Sequence, residues 1–327
     1  MKTPRRRLRL LYWLGGLLLI AGLVAGSWWM LAPRRPNLLL ITLDTTRADR
    51  LGCYGYDGAK TPTLDALANS GARFSRAYAT APLTLPSHAT MMTGLYTPEH
   101  GLRTNGKGRL HSEIPTLAES LQQAGYRTGG FVGAFVLDAE FGLNQGFDEY
   151  DADLSQSRRT DDPLHRERPG NAVVDRALAW LGADANEPFF CWVHLYDPHF
   201  VYQSHAAEFG DEFEQRPYDG ELAFVDQQVQ RLTGFLTSNE IAEDTLVIIV
   251  GDHGEGLGDH QEMMHGYMLY NSTLHVPWIV SWPGRIPSDV VVDEPVSLVD
   301  LMPTTLDCLG VPPPLDMTGQ SLKPAFT

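Results

Sequence analysis

The chain has 327 residues, 43% of them hydrophobic, which fits one large α/β domain with or without a small appendage and excludes a wholly disordered protein. Seven of the 25 basic residues and none of the 40 acidic residues lie in the first 35 positions, so the rest of the chain carries 18 basic and 40 acidic residues. This acidic balance argues against nucleic acid as a partner, because phosphate binding needs a basic face.

The N-terminal region has the pattern of a membrane anchor. Residues 1–9 include five basic residues, and the following 23 residues, 10–32, carry no charge. Such a span can cross a hydrocarbon layer of roughly 30 Å. The distribution of basic residues predicts a cytoplasmic tail at 1–9, one transmembrane helix at 10–32, and a catalytic part outside the cytoplasm, which means the periplasm in a bacterium. A cleaved signal peptide is the alternative, since Ala25-Gly-Ser27 offers small residues for cleavage.

Residues 33–36, Pro-Arg-Arg-Pro, indicate a linker, and residues 37–327 are predicted to form the catalytic domain. The apolar run 37–43 is typical of a strand covered on both faces, and Asp44 follows its carboxyl end. Residues 62–70 predict a helix, with Thr61 as its cap and a proline at its first position.

The segment 81–90, Ala-Pro-Leu-Thr-Leu-Pro-Ser-His-Ala-Thr, places the hydroxyl of Thr84 just before a Pro-Ser turn. We expect a short helix to begin at Pro86 and to direct backbone N–H groups toward an anion. A hydroxyl is nearly inert at neutral pH and needs a base or a metal to activate it. Thr84 is therefore the candidate nucleophile; the alternative is that it only caps the helix.

The remaining sequence alternates between helical patterns and apolar strands. This alternation predicts an α/β fold with a parallel-rich sheet and helices on both of its faces. The predicted helices are 114–124, 171–181, 222–236 and 296–309, the predicted strands are 128–136, 188–195 and 246–250, and residues 151–170 are predicted to be a surface loop.

Asp252 and His253 follow the apolar run that ends at Gly251. In open α/β sheets, ligands bind at the carboxyl ends of the strands. With Asp44 and Thr84, these residues supply oxygen and nitrogen donors that suit one divalent ion, namely Mn, Zn, Ca or Mg. Such a site hydrolyses a charged ester. A capping role for Asp44 and a simple turn at Asp252 and His253 remain the alternatives.

Eight short segments follow one another in a recognisable order along the chain. They are Thr61-Pro-Thr-Leu-Asp65, Thr84-Leu-Pro-Ser-His88, Thr93-Gly-Leu-Tyr96, Gly251-Asp-His-Gly254, His265-Gly266, Tyr270, Val276-Pro277 and Gly319-Gln-Ser-Leu322. From about residue 37 to the end, this order resembles the sulfatase family of the alkaline phosphatase superfamily. The resemblance implies an alkaline-phosphatase-like fold. It also implies a small C-terminal antiparallel subdomain, so we expect the chain to be short or truncated there.

The resemblance also implies roles for other residues. His199 and His265 match the histidines that contact the ester oxygens, stabilise charge in the transition state and protonate the leaving group. His88 and Asn105 are expected to contact the substrate. The weaker candidates are His194, Asp197, Asp259 and His260, whereas Glu255, His275 and the thiols of Cys53, Cys191 and Cys308 are expected to be structural.

The chain departs from the family at the nucleophile. Sulfatases usually carry a Cys or Ser that is converted to formylglycine, and Thr84 cannot become that aldehyde, so no formylglycine is expected. A Lys-Trp-His element is missing after Gly125-Tyr-Arg-Thr128, and His88 stands where an arginine is usual. These departures indicate a threonine-nucleophile variant.

The leading interpretation is a membrane-anchored, metal-dependent hydrolase of phosphate mono- or diesters or related sulfate esters. One alternative is a transferase that moves a phospho-alcohol group to a lipid or glycan. Another is a catalytically silent protein that keeps the metal. The sequence leaves the alcohol part of the ester and the oligomeric state open.

Overall fold

The computed structural model describes residues 35–155, 166–183 and 187–327. The predicted cytoplasmic tail and transmembrane helix, residues 1–32, lie outside these ranges, as does the middle of the predicted 151–170 loop. Within the described ranges, no helix is both long enough and apolar enough to span a bilayer. Residues from Pro36 to Thr327 form one compact unit.

Two sheets organise this unit. The strands are β1 (Asn37–Leu43), β2 (Ala72–Phe74), β3 (Ala77–Tyr78), β4 (Arg127–Val132), β5 (Glu149–Asp151), β6 (Phe189–Leu195), β7 (Thr245–Gly251), β8 (His275–Val276), β9 (Trp278–Ser281), β10 (Val290–Val292) and β11 (Val296–Ser297). The large sheet has the order β10-β2-β9-β7-β1-β6-β4-β5, and the small sheet has the order β11-β3-β8. In the large sheet only β9 runs antiparallel to its neighbours.

Helices cover both faces of the large sheet. They are α1 (Pro62–Asn69), α2 (Thr84–Thr93), α3 (Thr97–His100), α4 (Leu117–Gln123), α5 (Gly170–Ala183), α6 (Ala206–Phe209), α7 (Pro217–Ser238), α8 (Asn271–Leu274) and α9 (Leu301–Leu309). Successive residues of β1 point to opposite faces. Leu38 and Leu40 pack with residues of α2, α4 and α9, whereas Leu39 and Ile41 pack with residues of α1, α5 and α7. A continuous apolar run is therefore what this central strand requires.

The predicted α/β class, with a largely parallel sheet between two helical layers, is confirmed. Differences are local. Helix α2 begins at Thr84 rather than at Pro86, and β4 ends at Val132 rather than at residue 136. The predicted helix 296–309 is instead strand β11, a single 3₁₀ turn and α9, because Ser297 and Asp300 form a capping box that starts a new helical segment.

Candidate active site

The site lies at the carboxyl edge of the three central strands. Strand β1 pairs in parallel with both β6 and β7, and Leu43 is in register with Gly251. The residues that follow, Asp44 and Asp252, are held by backbone bonds, since Asp44 N–H donates to Leu195 O and Asp252 N–H donates to Leu43 O. Strand pairing therefore brings together two carboxylates that are 208 positions apart in the sequence.

Asp44, Asp252 and His253 converge on one point. One donor atom from each lies within 4.8 Å of the others, and all three side chains are fully buried. His253 Nε2 lies 3.8 Å from Asp44 Oδ1 and 3.5 Å from Asp252 Oδ2. Among the described residues, neither of these two carboxylate oxygens has a hydrogen-bond donor.

The proton positions sharpen this picture. His253 Nδ1 donates to the Gly254 carbonyl at 2.9 Å, so Nε2 presents a lone pair to the two carboxylates. Burial lowers the pKa of His253 well below its ordinary value, so the ring stays neutral. Burial, followed by repulsion from Asp44, raises the pKa of Asp252 well above its ordinary value. A cation between these three atoms would remove the repulsion between the two carboxylates, and His253 Nε2 would add a third lone pair to its ligands.

Thr84 lies beside this cluster. Its Oγ1 donates to Asp44 Oδ2 at 3.3 Å and lies 3.4 Å from His253 Nε2. The start of α2 differs from the expected anion site, because Leu85 N–H already donates to Asn105 Oδ1 at 2.9 Å and Pro86 has no N–H. Ser87 Oγ donates to the Asp252 carbonyl at 2.6 Å and ties this helix to the end of β7.

His88 occupies a different place from the one expected. The ring is fully buried, Nδ1 donates to the Thr84 carbonyl at 2.8 Å, and Nε2 accepts from Thr42 Oγ1 at 3.0 Å. Trp192 Nε1 donates to the same Thr42 oxygen at 3.0 Å. This chain of bonds uses both ring nitrogens, so His88 holds the backbone of Thr84 from inside the domain.

His194, one of the weaker candidates, supports Asp44 from β6. Its Nδ1 accepts from Gly133 N–H at 3.4 Å, and its Nε2 therefore donates to Asp44 Oδ2 at 3.2 Å. The ring is fully buried, and burial lowers its pKa to about 3. A neutral imidazole thus orients a candidate metal ligand, a common arrangement in metal sites.

His199 and His265 form a pair above this cluster. His199 Nδ1 donates to Phe200 O at 2.8 Å, and His265 Nδ1 donates to Pro82 O at 3.0 Å. Their Nε2 atoms are 3.2 Å apart, so one further proton must lie between them for this contact to be a hydrogen bond. The His265 ring packs against His253, with ring centroids 4.3 Å apart.

The other predicted residues lie outside this centre. Asp197 Oδ1 accepts from Gly170 N–H at 3.0 Å, and Asp259 is paired with Arg47 at 2.8 Å. His260 stacks on Tyr270, and His275 donates to Ser75 O, which agrees with a structural role. Glu255 accepts from Tyr202 Oη at 2.8 Å inside the domain, and burial raises its pKa to about 7.

Sequence reasoning missed the supporting residues Thr42, Arg47 and Trp192. Arg47 joins the turn after β1 to the loop after β7, since it pairs with Asp259 and donates to the backbone carbonyls of Glu255 and Gly256. A usable signal was present for Thr42, because it is the one polar residue between Leu38 and Leu43 in an otherwise apolar strand.

The comparisons with known proteins agree with one family. The Sulfatase family model matches residues 36–311. The "Uncharacterized sulfatase YidJ" of Escherichia coli K12 is 28% identical, over 88% of this chain and 71% of that protein. The Delta 4,5-hexuronate-2-O-sulfatase of Bacteroides thetaiotaomicron is 24% identical, over 90% of this chain and 72% of that protein.

Solved structures show the same fold. The phosphonate monoester hydrolase of Agrobacterium radiobacter superposes with a TM-score of 0.73 at 23% identity, over 89% of this chain and 77% of that one. A 2-O GAG sulfatase also gives a TM-score of 0.73 at 23% identity, over 89% of this chain and 74% of that one. At this identity, the likeness concerns the fold alone.

Proposed function

The chain belongs to the sulfatase family of ester-bond hydrolases, and we propose that it cleaves phosphate esters with Thr84 as nucleophile and one divalent metal ion. The observation that carries the proposal is the environment of the Thr84 hydroxyl. Its Oγ1 lies 3.3 Å from Asp44 Oδ2 and 3.4 Å from His253 Nε2, beside the cluster of unpaired donors. Sulfate esters are the second substrate class, supported by the names of the relatives.

The metal is held by Asp44, Thr84, Asp252 and His253. The fit rests on two buried carboxylate oxygens without donors and on a histidine nitrogen with a free lone pair. Oxygen and imidazole donors suit Mn, Zn, Ca or Mg, which leaves the ion itself open. When bound, the ion neutralises the two carboxylates and lowers the pKa of the threonine hydroxyl.

The residues divide the reaction between them. Thr84 Oγ1 forms a bond to phosphorus as its proton passes to Asp44 Oδ2, the acceptor at 3.3 Å. The bond from phosphorus to the alcohol oxygen breaks, and that oxygen takes the proton held between His199 Nε2 and His265 Nε2. A water molecule then attacks the phosphothreonine. It gives one proton back to the histidine pair, and Thr84 recovers its own proton from Asp44.

Threonine as nucleophile favours phosphate over sulfate. A threonine side chain cannot form formylglycine, the aldehyde through which the family usually cleaves sulfate esters. His88, where an arginine is usual, is neutral because burial lowers its pKa well below the ordinary value, so it adds no positive charge toward a sulfate group. Hydrolysis through a covalent phosphothreonine needs neither a formylglycine nor an arginine at position 88.

The test combines an ester panel with a covalent trap. The full-length protein is assayed with matched aryl phosphate, phosphodiester, phosphonate and sulfate esters while the added metal is varied. Acid quench followed by peptide mass spectrometry then seeks a phosphoryl group on Thr84. Thr84→Ala should lose turnover and label, whereas Thr84→Ser should keep part of both, because the hydroxyl survives.

Thr80→Ala is the matched control, since Thr80 lies four residues before Thr84 and donates to Thr90 Oγ1. It should keep both turnover and the label on Thr84. A fully active Thr84→Ala variant, or turnover that never labels Thr84, removes this residue from the mechanism. Faster cleavage of the sulfate ester than of the phosphate ester would identify sulfate esters as the substrate class.

The site is further proposed to lie outside the cytoplasm. The support is the charge distribution of residues 1–35, with five basic residues before the uncharged span and two after it. Carbonate washing should leave the protein in the membrane fraction, and protease added to spheroplasts should digest residues 37–327. A soluble protein that begins near Ser27 would indicate a cleaved signal peptide instead.

A further inference from the structure

Large apolar side chains that remain exposed concentrate in two short segments of the described chain. Val201 is 65% exposed, Tyr267 is 87% exposed and Leu269 is 72% exposed. We call this set the apolar rim. Its members are Phe200, Val201, Met263, Tyr267, Met268, Leu269 and Tyr270.

The apolar rim borders the histidine pair. Phe200 and Val201 directly follow His199, while the other members flank His265 on both sides. Because the Nε2 atoms of these histidines are 3.2 Å apart, the two segments meet at the pair. In the proposed mechanism the same atoms protonate the departing alcohol, so the alcohol lies next to the rim.

The second segment is fixed by its backbone. Tyr267 N–H and Met268 N–H both donate to Oε1 of the buried Glu262, at 3.1 and 3.2 Å. Thr273 Oγ1 donates to Met268 O at 2.9 Å, and Leu257 N–H donates to Met263 O at 3.2 Å. Apolar side chains held in water by a fixed backbone mark a binding surface.

Histidine is the only basic residue type in these two segments. Residues 199–207 and 263–270 contain no Asp, Glu, Lys or Arg, although the chain after position 35 carries 18 basic and 40 acidic residues. A sugar ester with several charged groups would find only histidine side chains as ionic partners on these segments. An alkyl chain gains roughly fourfold in affinity for each methylene that it buries.

We infer that the apolar rim binds the apolar portion of the substrate's alcohol, so that the substrates are amphiphilic esters with a long alkyl chain on the leaving group. This inference rests on the proposed function, because it takes the histidine pair as the proton donor to that alcohol. The occupant is the substrate rather than a second copy of the chain or a lipid surface, since the rim is continuous with the proton-donating atoms.

The test compares n-butyl and n-octyl phosphates with the full-length protein in lipid nanodiscs. The octyl ester has four more methylenes than the butyl ester, and burial of about two of them against the rim should give an octyl-to-butyl ratio of kcat/KM of about tenfold in the unchanged protein. In the double variant Tyr267→Ser, Leu269→Ser it should fall to about twofold. Leu315→Ser is the matched control, because Leu315 is a fully exposed leucine in the C-terminal segment and should leave the ratio unchanged. This control also corrects for partition of the octyl ester into the nanodisc.

A second measurement does not depend on turnover. Calorimetric binding of the same two phosphates to the Thr84→Ala variant should show the same preference for the longer chain, and the two rim substitutions should remove it. If no ester is cleaved but this preference is found, the proposed chemistry fails and the rim assignment stands. A ratio near one in the unchanged protein, or a ratio that the rim substitutions leave intact, overturns the assignment. In the latter case, loss of a dimer in sedimentation or of vesicle binding would assign the rim to a second copy or to lipid.

Discussion

The site has a floor and a mouth, and the two regions are built differently. The floor consists of Asp44, Thr84, Asp252 and His253, which are at most 1% exposed and directly follow strands or start a helix. The mouth consists of the His199–His265 pair and the apolar rim, all of which lie on connecting segments. Strand register positions the floor, whereas side-chain bonds to backbone carbonyls position the two histidines.

The difference separates two kinds of chemistry. The floor gathers lone-pair donors and fits a cation. The mouth brings two imidazole nitrogens into contact, and in the proposed mechanism this pair protonates the departing alcohol. Substitutions in the floor should therefore affect every substrate alike, whereas substitutions in the mouth should affect substrates according to their alcohol.

The largest expected effect is in the floor. Asp252→Asn keeps an oxygen that can accept from Thr45 N–H and His253 N–H but removes the charge. Metal affinity should fall by more than the 10–100-fold that is typical of a residue that only supports a ligand, and turnover of all esters should fall with it. Elemental analysis and titration against a chelator measure the affinity. Full metal occupancy in this variant would contradict the assignment.

A second prediction concerns the mouth. His265→Gln should slow cleavage of alkyl phosphates by about 10²–10⁴-fold, because a poor leaving group needs the proton that the pair supplies. With 4-nitrophenyl phosphate, whose leaving group needs little protonation, the loss should be much smaller. Comparing the two substrates measures the difference. Equal losses of turnover with the two substrates would indicate that His265 acts together with the floor residues rather than on the leaving group.

A smaller effect is expected for His194, which supports the floor without belonging to it. His194→Phe should weaken metal binding by about 10–100-fold, because Asp44 loses the donor that orients its Oδ2. His275→Phe is the control, since the His275 side chain hydrogen-bonds to Ser75 O, outside the metal cluster, and its loss should leave metal affinity unchanged. Unchanged affinity in the His194 variant would give that residue a packing role alone.

The smallest effect concerns a carboxylate outside the metal's reach. Burial, together with repulsion from Glu221, raises the pKa of Asp197 to about 7. The folded state therefore binds more protons than the unfolded state between about pH 4 and pH 7, so stability falls as pH rises through this range. Asp197→Asn removes that slope and should raise the Tm at pH 8 by about 2 °C relative to the unchanged protein. Thermal scans at pH 5 and pH 8 measure it, and an equal shift at both values would contradict it.

The floor could be predicted from the sequence because its residues stand at the ends of apolar runs. Predicting that Asp44 after β1 and Asp252 after β7 lie close together required only the rule that parallel strands end at a common edge. The pairing of β1 with both β6 and β7 then fixes the relative positions of these strand ends. His88 could not be placed this way, because its bonds to Thr42 and to the Thr84 carbonyl depend on how α2 packs against the sheet.

The mouth was less accessible to prediction. His199 and His265 were identified through the family resemblance, but their contact depends on the Pro82 and Phe200 carbonyls that orient each ring. No periodicity encodes such loop contacts. The short strands β2, β3, β8 and β10 were missed for a related reason, since two or three residues carry no readable alternation.

The chain of bonds from Trp192 through Thr42 and His88 to Thr84 has an evolutionary consequence. Replacing His88 by the arginine usual at this position would introduce a permanent charge into a fully buried space between Trp192 and His194, with Thr42 losing the acceptor for its hydroxyl proton. Acquiring a cysteine at position 84 alone would leave the histidine-based support in place. An arginine at position 88 therefore requires further changes around Thr42 and His194, because the single substitution would leave a buried charge without a partner. Position 84 is free of this constraint, since its bond to His88 is made by the backbone carbonyl.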